Sequence, residues 1–294
     1  MYLSLKQTIA VLALGLSSIV SALQISGELR QGGLVLGRVD ADSEVYYQGK
    51  AIQTAADGQF IIGLDRDAKD NIRLEVHRNG EVNSHEFAVA RRDYNIQRIE
   101  GVERKYVAPD PAQVARSRKE SAMVGQARRQ QRSQNDFFNG FIWPAHGPIT
   151  GVFGSQRVYN GEPRRPHYGV DVAGPVGAPV VAPASGLVTL AEPDLFFSGG
   201  TLIIDHGHGL SSTFLHLSKL LVRVGDEVVQ GEPVAEIGAT GRVTGPHLDW
   251  RMNWTGGNKN TRIDPQLLVN GMPDQGQDQQ LKQSENQQLN IDSQ

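Results

Sequence analysis

Short apolar runs broken by glycine-containing turns dominate the pattern of this chain. Leu34-Val35-Leu36, Glu44-Val45-Tyr46-Tyr47, Phe60-Ile61-Ile62 and Ile72-Arg73-Leu74-Glu75-Val76 are strand-like, with Asp57-Gly58 and Asn79-Gly80 between them. Glycine accepts the positive φ that tight hairpins demand, so residues 23–102 are expected to form a small all-β module, an accessory β-sandwich. The same pattern returns over residues 141–272, where Leu187-Val188-Thr189-Leu190, Leu202-Ile203-Ile204, Val222-Arg223-Val224 and Val234-Ala235-Glu236-Ile237 are candidate strands. Gly200, Gly209, Gly225, Gly231 and Gly238 punctuate them, and no long amphipathic helix is visible there. The predicted fold class is mainly β, built from antiparallel sheets.

Between the two β regions, residues 103–140 read differently. Asp110-Pro111 resembles an N-cap followed by a first-turn proline. The residues after it include Arg116, Arg118, Lys119, Glu120, Arg128, Arg129 and Arg132 but few apolar positions. That composition predicts a polar helix or flexible spacer, solvated and outside any core. At the N-terminus, Lys6, an apolar run from Ile9 to Val20 and the small residues Ser21-Ala22 describe a secretory signal peptide over residues 1–22. The run is too short to span a bilayer comfortably, so no stable membrane span is expected after cleavage, an uncleaved anchor being the alternative. Both readings put the remaining chain outside the cytoplasm. Residues 273–294, rich in Gln, Asn, Asp and Ser, are expected to be a disordered tail.

Composition narrows the chemistry. With 29 Lys and Arg against 32 Asp and Glu, the net charge of −3 argues against a nucleic-acid binder that works through overall electrostatics. The chain has no cysteine, which excludes disulfides, thiol redox chemistry and thiolate metal sites. Any metal must be held by His, Asp or Glu.

Such residues lie in His167-Tyr168-Gly169-Val170-Asp171, Phe214-Leu215-His216-Leu217 and Gly245-Pro246-His247-Leu248-Asp249-Trp250. Strands alternate faces with a period of two, which puts positions 167, 169 and 171 on one side of a predicted strand and joins His247 to Asp249 on another. Imidazoles and carboxylates converging on one sheet face are how a zinc hydrolase is built; three protein ligands would leave one position for water.

These segments, together with Gly151-Val152-Phe153-Gly154, Arg157, Ala182-Pro183-Ala184-Ser185-Gly186, Ile204-Asp205-His206-Gly207-His208-Gly209, Val224-Gly225-Asp226-Glu227-Val228 and Thr244-Gly245-Pro246-His247-Leu248, follow one another in an order that resembles the M23 (lysostaphin or LytM type) zinc endopeptidases. The resemblance covers roughly residues 141–270, and the β module in front resembles the N-terminal domain of some Gram-negative members. It implies one zinc ion, with His167 and Asp171 matching the first two ligands and Asp249 the third. It also implies that His216 and His247 position or deprotonate the attacking water and stabilise the oxyanion. The implied substrate is the cross-linked stem peptide of peptidoglycan in the periplasm or cell envelope, with Phe214, Thr240, Gly169 and Gly245 along the groove. Metal-less relatives of the family instead activate a cell-wall amidase, so a regulator with that partner is the alternative.

One departure matters most: the family usually has a histidine where this chain has Asp249. Two carboxylates and one imidazole would formally neutralise a zinc ion and weaken it as a Lewis acid, which predicts an activity optimum shifted to higher pH. Phe214 stands where the family commonly has tyrosine, keeping an aromatic wall without the hydroxyl. His206-Gly207-His208 has the spacing of a metal motif, but its flanks predict a turn between strands, and the resemblance implies that this turn is exposed.

Overall fold

A computed structural model describes residues 23–101 and 111–269. The proposed signal peptide, Asp110 and the Gln-rich tail lie outside the described residues. The fold is mainly β with antiparallel sheets, as the turn-punctuated pattern predicts. Among the described residues no helix is long and apolar enough to cross a membrane.

The N-terminal region forms two small sheets. In one, Leu34–Arg38 lies between Gln24–Gly27 and Gln59–Gly63. In the other, Glu44–Tyr47 and Asn71–Arg78 pair at the centre, flanked by Lys50–Ile52 and Glu81–Ala88. Alternation decides what is buried: Ile72, Leu74 and Val76 point inward while Arg73 is exposed. The predicted strands all form; Glu44–Tyr47 keeps the expected bounds and the other three extend a little beyond their apolar runs.

The C-terminal region is organised around an eight-stranded sheet whose centre is Gly186–Leu195, Gly199–Gly207, Leu210–Leu217, His247–Trp254 and Val170–Ala173 in spatial order. A three-stranded sheet of Pro179–Val181, Pro233–Glu236 and Lys219–Leu220 accompanies it. Val222-Arg223-Val224, expected as a strand, is instead part of a turn. The Asp226 carboxylate accepts the Arg223 backbone N–H at 2.9 Å, and the Asp226 N–H returns a bond to the Arg223 carbonyl at 3.1 Å. A side chain that satisfies the backbone locally competes with a strand ladder.

The two β regions share one apolar core: Val35, Phe60, Ile62 and Leu74 belong to the same buried cluster as Val172, Phe214, Trp250, Trp254 and Ile263. Polar contacts reinforce that junction. Ile96–Ile99 pairs in parallel with Gln156–Tyr159, and Arg66 donates to the Gly154 carbonyl at 3.0 Å. Arg92 reaches the buried carboxylate of Asp264 at 2.8 Å.

Helix Pro111–Ala127 corrects the expectation of a fully solvated linker. It is described from Pro111 onward, the expected Asp110 cap lying outside the described residues, and it is mostly polar. Its last turns nevertheless carry Met123, Val124 and Ala127, which pack on Leu190, Leu195 and Ile203. Three apolar positions at helical spacing suffice for one face, although they vanish in the average composition. The next residue, Arg128, is buried and donates to Thr213 Oγ1 at 2.9 Å.

Removing one partner of a buried ion pair strands the other without compensation. Arg92→Met should therefore lower the unfolding free energy in urea by about 3 kcal/mol, because Asp264 is left charged in a site that already pushes its carboxyl pKa upward through burial.

Candidate metal centre

The His247–Trp254 strand supplies the floor of the site. It pairs with Val170–Ala173 so that Asp171 lies opposite Asp249, and with Leu210–Leu217 so that Leu215 lies opposite Asp249. Leu248, Trp250, Met252 and Trp254 enter the core, which leaves His247, Asp249 and Arg251 on the other face. His167 stands in the irregular run before Val170–Ala173. Its backbone is held there by bonds from His167 N–H to the Ser155 carbonyl and from Gly154 N–H to the His167 carbonyl, both 2.8 Å.

His167, Asp171 and Asp249 come together: one ligand atom from each lies within 4.8 Å of the others. His167 Nε2 is 3.1 Å from Asp171 Oδ1 and 3.5 Å from Asp249 Oδ2. Its Nδ1 lies 3.3 Å from the Val152 carbonyl, a contact that makes Nδ1 the protonated nitrogen of a neutral ring and turns the Nε2 lone pair inward. Glycines permit this closeness, since a side chain at Gly151 would run into the Asp171 carboxylate and one at Gly169 into Asp249 Oδ1. Gly169, expected to line the groove, is thus a packing position beneath Asp249.

A divalent metal fits this donor set on an observation independent of family. Asp171 Oδ1 is buried and accepts no well-aligned hydrogen bond among the described residues; its near neighbours are His167 Nε2 at 3.1 Å and His247 Nε2 at 3.8 Å. A buried carboxylate oxygen without such a bond is costly, and a cation between it and the inward lone pair of His167 would remove the cost. In the metal-free chain a proton plays that part. Burial lowers the affinity of His167 for it, but Asp171 and Asp249 outweigh burial and raise the pKa to about 10.

Sequence reasoning missed Arg251. Its Nε donates to Asp249 Oδ1 at 2.9 Å and Oδ2 at 3.1 Å, and its Nη2 to Oδ2 at 2.5 Å. Burial favours the protonated form of Asp249, but Arg251 and His167 hold its carboxyl far below the usual range. The signal that could have found Arg251 was its position two residues after Asp249 on a strand. Its presence also removes the premise of the shifted pH optimum, because one of the two carboxylates is already paired with a cation.

The two histidines with implied catalytic roles flank the cluster, their ring centroids 5.0 Å apart. His216 Nδ1 lies 2.9 Å from the Thr240 carbonyl and His247 Nδ1 2.9 Å from the Gly245 carbonyl. Each neutral ring therefore carries its proton on Nδ1 and leaves Nε2 free as an acceptor. His247 Nε2 is 3.8 Å from Asp171 Oδ1. Burial lowers the pKa of His216, which favours this neutral form. Its φ of +68°, rarely adopted by a residue with a side chain, turns His216 to the site although Phe214, two residues before, points into the core.

Phe214 is the clearest correction among the expected site residues. It is fully buried opposite Trp250 and cannot form a groove wall. Thr240 acts through His216: its hydroxyl donates to the Leu217 carbonyl and accepts the Gly200 N–H, both at 2.8 Å, which fixes the carbonyl that His216 uses. The His206-Gly207-His208 turn is also not exposed. His206 and His208 are 0 % and 1 % exposed, and His206 is spanned by the Ser185 carbonyl and Ser212 Oγ, each at 2.8 Å.

A mainly β fold with a His-Asp-Asp cluster and two adjacent histidines defines a metallopeptidase-like site. Residues 165–265 match the model of Peptidase family M23, and the chain carries an M23 peptidase domain. The peptidoglycan DD-endopeptidase ShyA of Vibrio cholerae is 40% identical over 87 residues, which are 30% of this chain and 20% of that protein. The lipoprotein NlpD/LppB homolog of Pseudomonas aeruginosa is 39% identical over 102 residues, 35% of this chain and 32% of that protein. These matches span a fifth to a third of the relatives' own length. A crystal structure from Pseudomonas aeruginosa, described as a candidate M23 peptidase, superposes with a TM-score of 0.63 at 29% identity, covering 82% of this chain and 94% of the other.

Buried His206 makes the domain sensitive to acid. Burial lowers its pKa from 6.5 to about 4, so between these values the unfolded chain takes up a proton that the native state refuses, and stability falls as pH falls. Asp205, pushed up to about 6 by burial, acts in the opposite direction. The difference between wild type and His206→Gln isolates the histidine: from pH 7 to pH 5 the wild type should lose about 2 kcal/mol more than the variant in urea unfolding.

Proposed function

We propose that this chain is a zinc-dependent endopeptidase that hydrolyses peptide cross-links of peptidoglycan in the periplasm or cell envelope. The observation that carries the reading is the convergence of His167, Asp171 and Asp249 beside two histidines, His216 and His247, whose Nδ1 atoms are each held by a backbone carbonyl. His167, Asp171 and Asp249 would hold one zinc ion, which supplies a Lewis acid for the scissile carbonyl and a water of lowered pKa.

The remaining chemistry belongs to the chain. His216 and His247, each fixed by a backbone carbonyl at Nδ1, present Nε2 to accept a proton from water, and the protonated ring then donates to the developing oxyanion or the leaving amine. Thr240 holds His216 in register for that exchange. The substrate class rests on the relatives named as peptidoglycan endopeptidases and on the order of motifs shared with them.

A second reading has one observation in its favour. Asp249 is already paired with Arg251, as would suit a site kept for binding rather than hydrolysis. In that case the chain would regulate a partner such as a cell-wall amidase.

Digestion of purified sacculi separates the two readings. A chelator should abolish release of soluble muropeptides and zinc should restore it, whereas His216→Ala and His247→Ala should each lower the rate at least about 100-fold without loss of bound zinc. Failure of the metal-loaded wild type to release fragments, together with stimulation of an added amidase, would establish the regulator instead.

A further inference from the structure

Asp249 offers the site a carboxylate that is not electrically a carboxylate. Arg251 meets both of its oxygens through three N–O approaches of 2.5 to 3.1 Å, and the pair is secluded: the side chain of Asp249 is 3 % exposed and that of Arg251 25 %. The guanidinium donates to both oxygens, but a carboxylate has about four lone-pair positions, so Asp249 retains acceptor capacity toward His167 and the cluster. Asp171 is different, since its ion-pair contacts among the described residues are with His167 and His247 and not with a guanidinium. Two carboxylates and one guanidinium leave the cluster with a single net negative charge, that of a set with one carboxylate and otherwise neutral ligands.

We propose that Arg251 is a positioning residue of the metal centre, whose charge makes Asp249 equivalent to a neutral ligand and sets how tightly the site holds a divalent cation. Register makes this possible. Position 251 follows 249 by two on one strand, so both side chains emerge on the same face, and the guanidinium folds back along the strand to Asp249 while Thr213 stands opposite Arg251. Of the carboxylates near Arg251, Asp249 acts on it most and Asp171 less. Arg262, which donates to Asn253, has its pKa pushed down to about 9 by burial and by Arg251 and Arg165. Asp249 is the partner in the ion pair formed by Arg251 among the described residues.

The inference rests on the proposed metal site, and zinc affinity tests it without reference to hydrolysis. Even at the dielectric of water, removing a unit charge from about 5 Å of a divalent ion changes its affinity by about tenfold. The experiment is competition between a chromogenic chelator and the metal-free full-length chain for zinc. Arg251→Met should bind zinc at least tenfold more tightly than wild type. Asp249→His, which leaves the guanidinium uncompensated, should bind at least tenfold more weakly. The double variant should return to within about threefold of wild type, as should Arg251→Lys, which keeps the charge; thermal melts of the zinc-loaded proteins report on folding.

If Arg251 merely propped up the Asp249 side chain, its loss would weaken zinc binding. Weaker or unchanged binding by Arg251→Met, or tighter binding by Asp249→His, therefore overturns the inference while leaving the metal site itself intact. A wild-type chain that takes up no zinc overturns both this inference and the hydrolase reading.

Discussion

The strand His247–Trp254 must satisfy two incompatible environments at once, and the site depends on how it does so. One face carries Leu248, Trp250, Met252 and Trp254 into the core shared by the whole molecule. The other carries His247, Asp249 and Arg251, whose charges would be ruinous in that core. A period of two keeps the two sets apart, and a one-residue slip would exchange them. Because the apolar face locks the register, the site side chains emerge at fixed positions opposite Asp171, and pairing Asp249 with Arg251 makes a buried carboxylate tolerable beside a second one.

The same logic accounts for the N-terminal region. Its two sheets belong to the cluster that contains Trp254 and Ile263, and they are tied on by Arg66, by Arg92 and by a parallel strand pair. Helix Pro111–Ala127 then docks its last turns on Gly186–Leu195 and Gly199–Gly207, which Leu210–Leu217 separates from the site strand, and Arg128 reaches Thr213, the residue opposite Arg251. The centre is therefore supported by residues from the whole described chain and not only by the stretch matching Peptidase family M23.

Most strands were legible in the sequence because they combine β-branched runs with glycine turns, and both signals are local. His167, Asp171, His216, His247 and Asp249 could be picked out from their motifs, and the structure brings all five to one place. Other roles were not legible. Phe214 and His216 share a parity, and only the positive φ of His216 sends one to the core and the other to the site. Thr240 was expected to touch substrate, but it holds His216 through its carbonyl, a contact made across 24 residues of chain. The buried His206-Gly207-His208 turn looked exposed because its glycines and histidines say nothing about what covers it.

What the sequence determined by itself was the class of fold and the inventory of donors: antiparallel β-structure from alternating runs, and a cysteine-free set of His and Asp residues that only an oxygen- and nitrogen-binding metal would suit. Tertiary structure alone decided the electrical character of that set. Whether Asp249 acts as a free anion depends on where a guanidinium two residues away can fold, and that is set by the neighbouring strand and by burial from water. Coulomb energies rise steeply as solvent is excluded, so charges that would be independent along an extended chain become a single unit in the folded one.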